Sequence, residues 1–302
     1  METKNKHKKP INGWNIAFMV FLVIFMVIFL VATLYPVINT IALSFNDGTD
    51  AVRGGIYLWP RVFSVKSYKT VFAMENLLTG FKISVLRTVI GTLTSLAINA
   101  LLAFVLSRKR FLFSAQLSFF YVITMYVNGG LIPTFILYKN LGLMNSFSVY
   151  WVTGLVSAWN MLVLRTYMKG LPESLEESAQ LDGAGYFTIF TRIISPLCKP
   201  VYATIALFVA VWQWNNWFDA MIYNRLATEY TVLQYELMKL LSSVMNQSGS
   251  AETAKDAGGA NTITPITVRS AASVITMLPI ICVYPFLQRY FVTGLTIGGV
   301  KE

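Results

Sequence analysis

The stretch GLPESLEESAQLDGAGYFTIFTRIISPLCKP, residues 170–200, is acidic at its start and apolar in its second half, and glycine and proline punctuate it too regularly for a featureless connector. Pro172 suits the first turn of a helix, where the N–H it lacks would have no partner anyway. Glu173, Glu176 and Glu177 place negative charge where the helix macrodipole favours it. Gly183 accepts a positive φ and is expected to end that helix. A second short helix is predicted from about Ala184 to Ile194, because Phe187, Phe190 and Ile194 recur at spacings that form one apolar stripe. Pro196 is expected to end it and re-aim the chain. The product is a helix-turn-helix with an exposed apolar stripe beside carboxylates, and an uncovered patch of that kind marks an interface.

Outward from this hairpin the chain is apolar on both sides for roughly the length of a bilayer crossing. At about 20 apolar residues per crossing, about six spans are predicted: Trp14 to Val37, Phe81 to Leu106, Phe113 to Leu137, Phe147 to Met168, Val201 to Tyr223 and Ala271 to Val292. They are too long for the strands of an outer-membrane barrel and lack its polar-apolar alternation. The predicted fold is an all-α membrane protein, with a basic tail at residues 1–13 and a single transmembrane domain at 14–302. The hairpin is a loop at 170–196 between the fourth and fifth spans, and longer loops at 39–80 and 224–269 lie on the opposite side. Within those loops, Phe45 to Arg61 and the polar Ser242 to Thr264, with Gly249, Gly258 and Gly259, read as exposed excursions. The second is either a reach toward a partner or a disordered connector.

Of the 302 residues, 55% are hydrophobic and only 13% are charged, which excludes an ordinary soluble domain. The net charge of +10 does not point to nucleic acid, because the basic residues are scattered among apolar runs without a basic-aromatic motif. Loop charge facing membrane lipid accounts for it. Cys198 and Cys282 lie at or inside apolar segments with no CxxC spacing, so neither a metal site nor a disulfide framework is expected. The only histidine, His7, sits in a lysine-rich tail, which excludes a histidine-dependent triad or zinc site within the chain. Lys4, Lys6, Lys8 and Lys9 precede a first span longer than a signal h-region and without a small-residue cleavage site, so it reads as uncleaved. That tail, the run Arg108-Lys109-Arg110, and Arg165 with Lys169 fall on one side if the helices alternate. The positive-inside rule makes that side cytoplasmic, which places the hairpin and both termini in the cytoplasm.

Glu177-Ser178-Ala179, then Asp182-Gly183-Ala184, then Phe190, Ile193, Pro196 and Pro200 resemble the EAA signature of permease subunits of type I ABC importers. The departures are Ser178 where alanine is usual and Ser195 where leucine often precedes the proline. The resemblance implies a six-helix permease whose loop forms a coupling helix seated in a cleft of an ATPase subunit. On that basis Glu177, Ser178, Ala179, Asp182, Gly183, Ala184, Phe187, Phe190 and Pro196 are the expected coupling residues. Asn128 to Thr134, Trp159 to Met168, Trp214 to Asp219 and Arg289 to Thr296 are similar to maltose-type carbohydrate permeases, with the lipoprotein- or polysaccharide-type subgroup nearest.

Asn99, Asn160, Gln213, Asn215 and Asn216 fall within or near spans, where an unsatisfied polar group is expensive. They face a pathway or hold helices together by hydrogen bonds. Trp212, Trp214, Asn215, Asn216, Trp217 and Asp219 combine aromatic faces with amides, which suits sugar rings. They also lie near the outer end of the fifth span, where an interfacial belt predicts tryptophan. Asn160, Trp212, Trp214, Asn215, Asn216 and Asp219 are the candidate substrate-path residues. Arg87 and Lys82 sit at the outer end of the second span and are expected to snorkel to the headgroups. Pro279 and Pro285 imply kinks in the last span.

No GxxxxGK[ST] phosphate loop occurs, so nucleotide is not cradled here in that way. The expected function is a binding-protein-dependent import permease for oligosaccharides or other carbohydrates, working by alternating access and performing no covalent chemistry. The resemblance implies its partners: a second, homologous permease, two ATP-binding subunits that hydrolyse ATP with magnesium, and an extracytoplasmic solute-binding protein. No cofactor is expected on this chain. An amino-acid or peptide importer of the same fold is the alternative. An ion-coupled secondary transporter would need ionisable groups at mid-membrane, and the middles of these spans have almost none.

Overall fold

The computed structural model describes residues 13–247 and 264–297. The basic tail up to residue 12, most of the expected excursion from Ser242 to Thr264, and residues 298–302 lie outside the described residues. Internal contacts group the described residues into two compact units, 13–70 with 264–274 and 71–247 with 275–297.

In the first unit, α1 (Gly13–Ser44) continues past the expected end at Val37, with Pro36 inside it. Its side chains from Trp14 to Val31 are exposed and overwhelmingly apolar, a surface that only lipid or another apolar chain can satisfy. The segment that follows is folded by its own polar groups. Asp47 caps α2 (Gly48–Val52), its side chain accepting from the Thr49 N–H at 3.0 Å. Buried Asn46 accepts from the Val62 N–H at 3.1 Å and donates to the Asp50 carboxylate at 3.0 Å. Phe45 stacks on Phe63 and Tyr68, and Ala42, Ala51 and Ile56 form a small core. The expected excursion from Phe45 to Arg61 is therefore a hydrogen-bonded knot, although Tyr57, Leu58 and Trp59 are exposed. The chain leaves it through α3 (Lys66–Ala73).

The second unit is organised around α4 (Glu75–Ser107), which packs against α12, α8 and α14, defined below. Its inward positions include Gly80, Ser84, Gly91, Ser95, Ala100 and Ala103, small residues that let neighbouring backbones approach closely. A β-carbon on Gly80 would stand 2.9 Å from the Leu233 backbone nitrogen. That nitrogen donates to the Ser84 hydroxyl at 2.9 Å.

Three of the expected spans are broken. The third divides into α5 (Ser114–Tyr126) and α6 (Leu131–Asn140), which meet at 117°. Gly130 at φ +86° makes the corner, and the Asn128 side chain accepts from its N–H at 2.9 Å. The fourth divides into α7 (Val149–Val152) and α8 (Ala158–Lys169). Buried Asn99 of α4 serves that gap, donating to Leu155 O at 2.9 Å and accepting from Ser157 N–H at 3.0 Å. Its role is the helix-holding one.

After α8 come the hairpin helix α9 (Ser174–Leu181), the short α10 (Tyr186–Thr188), a π turn at Ile189–Ile194 and α11 (Ser195–Leu197). The fifth span is α12 (Lys199–Asn215), followed by a break at Asn216-Trp217 and α13 (Phe218–Tyr223). The helix α14 (Leu233–Gln247) lies inside the expected loop 224–269 and buries Leu233 and Leu237. The last span is α15 (Pro265–Ile297), with Pro279 and Pro285 inside it. Among the described residues, three helices are long and apolar enough to cross a membrane unbroken: α1, α4 and the Pro265–Val283 part of α15. Two bent pairs, α5 with α6 and Tyr186–Leu197 with α12, raise that to as many as five.

Candidate functional site

The hairpin forms at the end of α8, as its acidic start and glycine dictate. α9 ends where Gly183 takes φ +81°, and the Ala184 N–H turns back to Ala179 O at 2.9 Å. Ala179 and Ile189 are buried in one core with Ala103, Met161, Leu164 and Ile205, so the hairpin is rooted on the helices it joins. Its tip is bare. Leu181 is 89% exposed and Phe187 75% exposed, and Glu177, Ser178, Asp182 and Gly183 are exposed beside them.

The second half differs from expectation. Pro196 does not end the helix: it lies in α11, and the turn occurs at Cys198, where the segments Tyr186–Leu197 and Lys199–Asn215 meet at 81°. A proline removes one N–H and crowds the carbonyl four residues back, and the wider π turn at Ile189–Ile194 accommodates it. The widened turn also splits the expected stripe. Phe190 packs on Phe104 with ring centroids 5.2 Å apart and Ile194 is buried, leaving Phe187 outside. Ala184 is half-buried and Pro196 is exposed.

Two acids that sequence reading assigned to the macrodipole have specific partners. Glu176 pairs with Arg108 at the end of α4, and Glu173 pairs with Lys109 at 2.6 Å.

In the N-terminal half of α4, Arg87 is fully buried, which corrects the expectation that it snorkels to headgroups; Lys82 is exposed. The Arg87 guanidinium donates to both carboxylate oxygens of Asp219, at 3.0 and 2.6 Å. It donates to Gln213 Oε1 at 3.1 and 3.0 Å, and to the Asn216 carbonyl at 3.1 Å. It also lies 4.4 Å from the Tyr150 ring centroid. A guanidinium stays charged in any protein environment, so its burial requires such a full set of acceptors. Gly91 makes the packing possible, since a β-carbon there would lie 2.4 Å from Gln213 Nε2. Sequence reading missed this cluster although it flagged every polar member except Tyr150.

The six candidate path residues therefore separate. Asn160 and Trp212 line one open pocket with Ser95, Thr153, Ser157 and Gln213. Trp212, Asn215 and Asn216 line a second with Phe208 and Trp217. Trp214 and Asp219 line neither. Trp214 is buried, donating its indole N–H to Thr276 O at 3.0 Å, and Asp219 is held by Arg87.

The described residues thus form a helical bundle with helices apolar and long enough to cross a membrane and a rooted hairpin whose apolar tip is exposed. The chain belongs to the family of binding-protein-dependent transport system inner membrane components, whose model matches residues 99–297. It is 33% identical to the polygalacturonan/rhamnogalacturonan transport system permease protein YtcP of Bacillus subtilis (strain 168), over 88% of this chain and 92% of that one. It is 27% identical to the arabinooligosaccharides transport system permease protein AraQ of Halalkalibacterium halodurans, over 97% and 98%. Among solved structures it is similar to a chain of a bacterial ABC transporter involved in the import of the acidic polysaccharide alginate. That match has a TM-score of 0.84 and 29% identity over 93% of this chain and 98% of that one. The fold is thus that of an ABC importer permease, and the chain is a membrane transport subunit.

Proposed function

We propose that this permease imports an oligosaccharide across the bacterial inner membrane, with the hairpin at residues 170–196 as its power input. The observation that carries the substrate class is that similar proteins spanning nearly the whole chain are named for saccharide transport. The pockets are compatible with it: their lining combines aromatic and aliphatic side chains with amides and, in the first, hydroxyls, and has no charged side chain. Such a surface offers ring faces to C–H groups and partners to hydroxyls.

Leu181 and Phe187 at the hairpin tip would seat in a cytoplasmic ATP-binding subunit, with Glu177 and Asp182 at the rim. Two such subunits hydrolyse ATP with magnesium, a second, homologous permease completes the pathway, and an extracytoplasmic solute-binding protein delivers the sugar. The hairpin and both termini face the cytoplasm. Closure of the ATPases displaces α9 and switches the pathway between inward and outward access. The test is ATP hydrolysis by the complete reconstituted transporter. Oligosaccharide with its binding protein should stimulate it several-fold, while amino acids and peptides should not. Stimulation by peptides alone would replace the sugar assignment with the alternative.

A further inference from the structure

At its Ser107–Arg108 end, α4 is held to the hairpin by an unusually complete contact. The Arg108 guanidinium pairs with the Glu176 carboxylate, donates to the Ser107 hydroxyl at 3.1 and 3.0 Å, and stacks 4.9 Å from the Phe104 ring centroid. Glu176 also accepts from Gln180 Nε2 at 3.2 Å. Both partners are thus fixed from behind, and their side chains are only 15% and 14% exposed. The neighbouring Lys109–Glu173 pair is 81% and 59% exposed, so solvent screens it. Arg165 ties α8, from which the hairpin departs, to the same end of α4, donating to Leu106 O at 2.9 Å, where the helix dipole favours a cation. From Arg108 the unbroken α4 runs about 30 Å to Arg87, whose ion pair grips the break beside Asn216.

We propose that Arg108 and Glu176 are positioning residues that make α9 and α4 move as one piece, delivering displacement of the hairpin to the Arg87–Asp219 cluster. The inference rests on the function proposed above. A connector that slipped would let ATP hydrolysis proceed without moving the helix break, so the signature of losing it is a fall in solute imported per ATP hydrolysed, not in assembly.

The experiment uses the complete transporter in liposomes, scored per assembled complex. Arg108→Glu and Glu176→Arg should each lower solute imported per ATP by at least about fivefold, and the double exchange should recover most of it. Glu176→Gln, which keeps the volume, should assemble normally and still lower the ratio, whereas Lys109→Gln should leave it unchanged. Wild-type ratios in both reversals and in Glu176→Gln, or a double exchange no better than its worse parent, would overturn the inference alone. A wild-type complex with no ATP-dependent import would overturn the function beneath it.

Discussion

Arg87→Met is expected to cost about 3–5 kcal/mol of stability, seen as a large loss of monodisperse protein after detergent extraction and a lowered melting temperature. The arginine side chain is fully buried and Asp219 only 13% exposed, so removing the cation leaves a carboxylate, the Gln213 amide oxygen and the Asn216 carbonyl short of donors. Losing one member of a buried pair is costly because of the charge left behind, more than because of the bond lost. The companion variant separates these effects. Arg87→Met with Asp219→Leu should recover most of the loss, since it strands no charge. Equal melting of Arg87→Met and wild type would mean that the guanidinium reaches water or headgroups, as hydropathy alone suggests.

Gly183→Val is expected to lower coupled uptake by about 5–30-fold while membrane insertion survives. A β-carbon at Gly183 would meet nothing within 4 Å, so the substitution is opposed by backbone conformation alone. At φ +81° an L-residue pays about 1–2 kcal/mol, more when β-branched, and the turn that returns Ala184 N–H to Ala179 O is lost if the strain is relieved. That energy corresponds to about 5–30-fold in the population of the correct turn. Gly183→Asn, which tolerates the left-handed region, should retain most of the uptake. If valine and asparagine behave alike, side-chain chemistry rather than backbone governs the position.

The legible parts were those where a local rule decides. Acidic residues followed by Gly183 gave the first hairpin helix, and apolar runs located the long helices. The second half of the hairpin departs from regular helical spacing because Phe187, Phe190 and Ile194 are carried across a π turn. The broken spans were hidden because a hydropathy window sums over Asn128-Gly129-Gly130 without registering that Gly130 turns the chain. Arg87 was misplaced for a different reason: its ion partner is 132 positions away, beyond any window. The Arg108–Glu176 contact spans 68 positions, and both residues already had a sufficient local explanation as loop cation and dipole partner. Helix α14 carries a signal in Leu233 and Leu237, apolar and four residues apart inside the polar segment 224–269.

The exposed tip of the hairpin is where a motor subunit is expected to attach. Leu181→Cys tests it in a chain whose exposed Cys282 has been changed to Ser, Cys198 being buried. A membrane-impermeant thiol reagent should label the tip in inside-out vesicles, and adding the purified ATPase subunit should protect it. Labelling in right-side-out vesicles, or no protection by the ATPase, would contradict the claim.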